Sequence, residues 1–271
     1  MSKRNTQENK AAARERLRAE RERQAKKDRT RKQLVVAVSV VAAIAVVGGV
    51  SYGVMQLNKP SAWDAAADAK NVSAPKNTSG ENGTTVVIGK SDAKKTLELY
   101  EDSRCPVCAT FEQGVGETLA KDVEDGKYKV QYVGATFIDN IDNGEGSKNA
   151  LSALGAALNV SPEAFMDYKA ALYSAEFHPE ESQDKFAKDS YLIEIADSVD
   201  ALKGNKAFQK DVEDGTYDAW AMKMSEAFSK SDVEGTPTLK MDGKKVTTEG
   251  TDNAPMTAGE FRAAVDKALK A

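Results

Sequence analysis

The amino-acid sequence predicts an α/β domain that follows a single transmembrane helix. Segments that alternate apolar and polar residues are typical of strands, and they occur at residues 85–89, 96–101 and 127–136. Apolar residues at helical spacing fill most of residues 147–229, which predicts a run of helices. Before the domain, residues 34–54 form an apolar segment of the length that a membrane span requires.

The apolar segment at residues 34–54 contains 21 residues and no charge. As a helix it would be about 31 Å long, at about 1.5 Å per residue, which matches a hydrocarbon core of about 30 Å. A cleaved signal peptide has a shorter apolar region followed by a pair of small residues. Here the best flanking pair is Pro60 and Ala62, and a weaker pair, Ser51 and Gly53, lies inside the segment. The pattern favours an uncleaved signal anchor.

Charge is distributed unevenly along the chain. Residues 1–33 contain 13 Lys or Arg and 5 Asp or Glu, a net charge of +8, and the other residues carry −12 of the formal total of −4. A basic tail before a span places the N-terminus in the cytoplasm and everything after residue 54 outside the membrane. Nucleic-acid binding by this tail is disfavoured, because no aromatic residues are interleaved with its charges and no recognisable fold positions it.

A linker and one folded domain are predicted after the span. Residues 55–84 are rich in Ala, Asn, Ser, Gly and Pro, which predicts a flexible linker with a short helix near residues 63–69. Residues 85–271 are long enough for one domain with its own core. Near the end of that domain, Asp242 and Gly243 mark the turn of a closing hairpin.

The chain contains two cysteines, Cys105 and Cys108, which lie three residues apart in "SRCPVCATF". A structural zinc site needs four Cys or His ligands, and the chain adds only His178, which we expect in a solvated surface turn. A structural disulfide over so short a loop removes little chain entropy from the unfolded state. A pair that exchanges disulfides is therefore favoured over a metal site or a purely structural bridge.

The positions of the two cysteines predict different roles for them. Cys105 lies between a predicted strand and a predicted helix, and unpaired N–H groups at a helix N-terminus stabilise a thiolate. Pro106 suits the first helical turn. We expect Cys105 to be the nucleophile that forms a mixed disulfide and Cys108 to resolve it, with no cofactor.

The order of these motifs resembles a known family. A strand, then "YEDSRCPVCATFE", then a helix and, much later, "VEGTPTLKMDG" resembles the DsbA-like branch of the thioredoxin superfamily, in its membrane-tethered, Gram-positive (actinobacterial-type) form. The resemblance implies a thioredoxin fold over about residues 85–271, with a helical subdomain inserted at about residues 146–230. It also implies that Pro237 is cis and lies beside the cysteines, and that the backbone of Thr236 binds substrate peptide.

The sequence departs from this family beside the cysteines. Pro106 and Val107 separate them, and the resemblance implies that both contact substrate, but Val107 stands where strongly oxidising members have His. Leu99 occupies the place where many members have a buried carboxylate, and Arg104 is expected to lend Cys105 some positive potential, which the preceding acidic residues oppose. We therefore expect a thiol pKa less depressed than the value of about 3.5 in DsbA. The expected reduction potential lies between about −270 and about −120 mV.

The resemblance implies an extracytoplasmic, membrane-anchored thiol-disulfide oxidoreductase that oxidises cysteines of exported proteins. A membrane quinone-linked thiol oxidase would regenerate it. The sequence leaves two alternatives open. One is an extracytoplasmic thiol reductant, for instance in cytochrome maturation, and the other is a non-catalytic binding or chaperone-like domain.

Overall fold

The computed structural model describes residues 61–271. The predicted basic tail at residues 1–33 and the predicted membrane span at residues 34–54 lie outside this range. Among the residues that are described, no helix is both long enough and apolar enough to cross a membrane.

A mixed β-sheet forms the centre of the described part of the chain. Its strands are β1 (Val86–Ile88), β2 (Thr96–Asp102), β3 (Lys129–Ala135), β4 (Thr238–Met241) and β5 (Lys244–Lys245), in the order β1-β3-β2-β4-β5. β2 and β3 are parallel, whereas β1 and β4 run antiparallel to their neighbours. The last hairpin has its predicted turn, because Asp242 and Gly243 both adopt positive φ values of 52° and 74°.

Helices cover the sheet and fill the long connection between β3 and β4. They are α1 (Ala62–Ala67), α2 (Pro106–Glu124), α3 (Ile138–Ile141), α4 (Gly146–Val160), α5 (Pro162–Leu172), α6 (Asp189–Ala196), α7 (Lys206–Glu213), α8 (Asp218–Ser229) and α9 (Ala258–Leu269). The helices α4 to α8 lie within the range that the resemblance implies for the helical insertion. Parallel β2 and β3 require a crossover connection, which α2 provides.

The core is continuous from the sheet into the insertion. Phe111 of α2 packs edge-on against Phe261 of α9, with ring centroids 6.3 Å apart. In the insertion, a Cβ at Gly155 of α4 would lie 2.9 Å from the Trp220 ring of α8, so the glycine permits the two helices to approach closely. Tyr132 of β3 packs edge-on against Phe165 of α5, with ring centroids 5.1 Å apart, so the insertion is packed as part of the domain.

Residues 61–84, which we call the N-terminal strap, differ from the flexible linker predicted over residues 55–84. Trp63 of α1 is buried, the indole N–H of Trp220 donates to the Gly83 carbonyl at 2.9 Å, and Lys223 donates to the Ala67 carbonyl at 3.0 Å. The described part of the predicted linker thus packs on the insertion. Its average composition is that of a linker, but one buried indole and a few backbone carbonyls are enough to attach it.

The two parallel strands position the site. Both β2 and β3 are buried over their last four residues, and their carboxyl ends lie at one edge of the sheet because the strands are parallel. The turn from β2 into α2 and the start of the insertion after β3 therefore meet at this edge.

Candidate active site

Cys105 is the N-cap residue of α2. Its backbone is extended, with φ −71° and ψ 117°, and Pro106 occupies the first helical position, where a missing N–H removes no helical hydrogen bond. The Cys105 N–H donates to the Asp102 carbonyl at 2.9 Å, which closes the turn after β2. The Cys105 sulfur therefore lies where the unpaired N–H groups of a helix are concentrated.

The two thiols have opposite acidities. Both cysteines are free, and Cys105 is 6 % exposed whereas Cys108 is fully buried at 0 %. A hydrogen bond from the Cys108 thiol, helped by the N–H groups of Cys108 and Val107 and opposed by burial, lowers the pKa of Cys105 to about 6. Burial first, and then the bond to Cys105 and the charge of Glu101, raises the pKa of Cys108 well above its usual value. At neutral pH the pair is one thiolate and one thiol.

The loop before β4 completes the site. The Thr236–Pro237 peptide bond is cis, which is the geometry that the resemblance implies. The Cys105 sulfur lies 3.6 Å from the Thr236 carbonyl oxygen, 131 residues along the chain. Beside them Pro106 is exposed, Val107 is 52 % exposed and Cys108 is buried, so the structure brings all six residues named as site candidates together.

A buried carboxylate lies beneath the two cysteines, although Leu99 occupies the position where many members of the family have one. Glu101 lies two residues further along β2 and is 0 % exposed. Lys169 of α5 lies 3.1 Å from Glu101 and 2.5 Å from Glu112 of α2. Sequence reasoning missed this triad, because Lys169 comes from the insertion 64 residues after Cys105.

Burial and pairing set the protonation of this triad. Burial, only partly offset by the charge of Lys169, raises the pKa of Glu101. The attraction of Glu101 and Glu112 outweighs burial at Lys169 and raises the pKa of its ammonium group. The triad therefore holds a charged lysine beside a carboxyl group that binds a proton more readily than an exposed glutamate does.

Arg104 does not lend its charge to Cys105, in contrast to the expectation from sequence. Its side chain is 2 % exposed, and its guanidinium lies 2.9 Å from Asp139, 3.4 Å from Asp184 and 3.6 Å from Asp142. These carboxylates neutralise it. The sequence does not show this pairing, because all three partners lie beyond β3.

His178 also differs from its prediction as a solvated surface residue. Its Nε2 lies 3.1 Å from the Ser103 carbonyl oxygen, which can only accept, so the ring donates this hydrogen bond. The ring stacks on Tyr173 and packs edge-on against Phe186, and burial lowers its pKa. His178 is therefore a neutral residue that contacts the turn before Cys105.

Comparisons with known proteins agree with this geometry. A family model described as thioredoxin matches residues 81–267. Disulfide bond formation protein D of Bacillus subtilis (strain 168) is 26% identical over 161 residues, which is 59% of this chain and 68% of that protein. The serine/threonine-protein kinase PknE of Mycobacterium tuberculosis (strain ATCC 25618 / H37Rv) is 26% identical over 166 residues, 59% of this chain but 29% of the kinase.

Solved structures share the fold. Oxidised DsbA of Mycobacterium tuberculosis superposes with a TM-score of 0.54 at 24% identity, covering 69% of this chain and 98% of that one. MdbA, a thiol-disulfide oxidoreductase from Actinomyces oris, gives 0.58 at 21% identity, covering 73% and 94%. The chain belongs to the thioredoxin family, and it has the fold of the DsbA-like thiol-disulfide oxidoreductases.

Proposed function

We propose that this chain is an extracytoplasmic, membrane-anchored thiol-disulfide oxidoreductase that oxidises cysteines of exported proteins. One observation carries the proposal: two buried sulfurs one helical turn apart have opposite acidities, and the acidic one, Cys105, lies at a helix N-terminus against the carbonyl of Thr236. A purely structural pair does not need this asymmetry.

The proposed reaction uses the acidity of Cys105 in its second step. In the oxidised protein, a substrate thiolate attacks the Cys105 sulfur, the bond between the two protein sulfurs breaks, and Cys108 leaves with the electron pair. A second substrate thiolate then attacks the substrate sulfur of the mixed disulfide, and Cys105 leaves as a thiolate. Two electrons pass from the substrate dithiol to the protein pair. One proton ends on the Cys108 thiol and the other is released to solvent, because Cys105 stays a thiolate at neutral pH. A thiol of low pKa is the better leaving group, so the second step is fast.

The buried carboxyl group of Glu101 has a role in the first step. The departing Cys108 sulfur is fully buried and has a raised pKa, so it needs a proton that bulk water cannot deliver directly. Glu101 also has a raised pKa and interacts electrostatically with Cys108, so it can supply this proton and recover it when Cys108 attacks a mixed disulfide. When Glu101 and Glu112 are both ionised, the positive charge of Lys169 offsets one of their two negative charges.

The proposed membrane location of the protein and its proposed redox partner are inferred from the sequence and from the relatives. The uncharged segment at residues 34–54 and the basic residues before it favour a cell-membrane anchor with the domain outside the cytoplasm. The resemblance to the DsbA-like branch favours a quinone-linked membrane thiol oxidase as the partner that reoxidises the cysteines. The stabilised thiolate favours oxidation of substrates over their reduction, because it stabilises the reduced form of this protein.

Trapping of substrates tests the proposed reaction. In cells, Cys108→Ala is expected to accumulate mixed disulfides through Cys105, because the sulfur that would resolve them is missing. The double variant Cys105→Ser/Cys108→Ala is the matched control and should show none, since it lacks the nucleophile. If Cys108→Ala also yields none on gels run without reductant, or if Cys105→Ser retains full biological function, the pair is structural and the proposal fails.

The pH dependence of alkylation tests the acidity of Cys105. In the reduced protein, the rate of reaction with iodoacetamide should rise with pH to a half-maximal value near pH 6, because only the thiolate reacts and the pKa of Cys105 is about 6. Cys108 should contribute nothing in this range, which digestion and mass spectrometry can check. A midpoint near that of a free cysteine, about pH 8.5, would contradict the assignment.

The variant Glu101→Gln tests the proton transfer. We expect the attack of Cys108 on a Cys105–glutathione mixed disulfide to slow by about 100-fold at pH 7, the lower end of the usual contribution of a general base. If Glu101 acted only through its charge, the variant would lower the pKa of Cys108 and the attack would accelerate. Glu98→Gln, on the same strand, is the matched control and should leave the rate unchanged.

A further inference from the structure

The side chain directly before the nucleophile is fixed by the helical insertion. The Arg104 guanidinium donates to Asp139 at 2.9 Å and to the carbonyl of Glu181 at 2.8 Å, and it lies 3.4 Å from Asp184. Each of these partners belongs to the connection between β3 and β4. The Arg104 side chain thus attaches the turn before α2 to this connection.

The same carboxylates also hold the beginning of α4. Asp139 accepts the N–H groups of Ser147 and Lys148 at 2.9 and 3.0 Å. Asp184 accepts those of Glu145 and Gly146, each at 2.9 Å. The helix N-terminus and the guanidinium therefore share two carboxylates, and a displacement of one requires a displacement of the other.

The backbone of the turn is held as tightly as its side chain. The Arg104 N–H donates to the Asp102 carboxylate at 3.0 Å, and that carboxylate also accepts from the Ile138 N–H at 3.1 Å and from the Ser147 hydroxyl at 2.6 Å. On the other side, His178 donates to the Ser103 carbonyl at 3.1 Å. Every residue from Asp102 to Arg104 thus contacts the insertion immediately before the chain reaches Cys105.

We propose that Arg104 is a positioning residue: by binding Asp139, Asp184 and the Glu181 carbonyl, it lets the insertion hold Cys105 in register with the first N–H groups of α2 and with Thr236. The inference deepens the proposed function, because it concerns the same nucleophile. A thiolate at a helix N-terminus is stabilised by directional N–H contacts over a few ångströms, so a small displacement of the turn weakens them. Because the charge of Arg104 is already neutralised, Arg104 acts on Cys105 by fixing the position of the turn.

A charge-neutral double variant separates geometry from charge. Arg104→Met removes the contacts, but it also takes the closest cation away from the buried Asp139 carboxylate, and the uncompensated negative charge would by itself raise the pKa of Cys105. Arg104→Met/Asp139→Asn removes one charge of each sign. We expect the midpoint of the thiolate absorbance at 240 nm in this double variant to rise by about one pH unit, which lowers the thiolate fraction at pH 6 about fivefold. A wild-type midpoint in the double variant, with a raised one in Arg104→Met, would overturn the proposal in favour of charge.

Two further variants keep the test decisive if the double variant does not fold. His178→Phe loosens the same turn without changing any charge and keeps an aromatic ring against Tyr173, so it should shift the midpoint in the same direction by a smaller amount. Lys148→Met is the matched control, because Lys148 lies 3.9 Å from the same Asp139 but does not contact the turn. It should leave the midpoint unchanged, whereas a rise as large as that of His178→Phe would contradict the positioning role. The absorbance reports the thiolate directly, so the result does not depend on whether the protein oxidises substrates.

Discussion

The contact between the Cys105 sulfur and the start of α2 is the interaction on which the rest of the site depends. A hydrogen bond from the Cys108 thiol, and then the N–H groups of Cys108 and Val107 in the same turn, lower the pKa of the Cys105 thiol to about 6, whereas burial holds the Cys108 thiol protonated. The sign of the linkage follows from this depressed pKa. The thiolate stabilises the reduced fold above the pKa of an unfolded cysteine, and this contribution is lost as the pH falls through about 6. A reduced form that is stabilised in this way makes the disulfide form an oxidant.

The two buried cations near the cysteines, Arg104 and Lys169, are both paired with carboxylates. Arg104, the nearest cation in sequence, pairs with three carboxylates of the connection between β3 and β4, while Lys169, which is distant in sequence, reaches Glu101 beneath the cysteines. Breaking a buried ion pair costs several kcal/mol because the remaining charge cannot be solvated, so both arrangements are held firmly. In addition to extending the fold, the insertion therefore contributes Lys169 below the cysteines and binding partners for Arg104 beside them.

The sequence predicted the parts of this site that depend on local order along the chain. The strand, the turn and the helix around Cys105 follow from alternation, Pro106 and apolar spacing, and Pro237 follows from a motif. Glu101 and Lys169 could not be paired in advance, because neither alternation nor helical spacing identifies which polar residue of a buried strand faces which residue of an inserted helix. The surroundings of His178 and the linker at residues 61–84 were predicted wrongly for the opposite reason. Both segments have the composition of solvated loops, yet the His178 ring stacks on the buried Tyr173 and the buried Trp63 ring attaches the linker to the domain.

The reduction potential of the Cys105–Cys108 pair tests the central claim most directly. Equilibration of the purified protein with defined ratios of reduced and oxidised glutathione, followed by quantification of the free thiols, gives this value. A thiolate of intermediate acidity, with Val107 in place of a histidine, predicts a potential between about −270 and about −120 mV. A value at or below the lower limit would contradict it, because the contacts at the start of α2 would then not favour the reduced form.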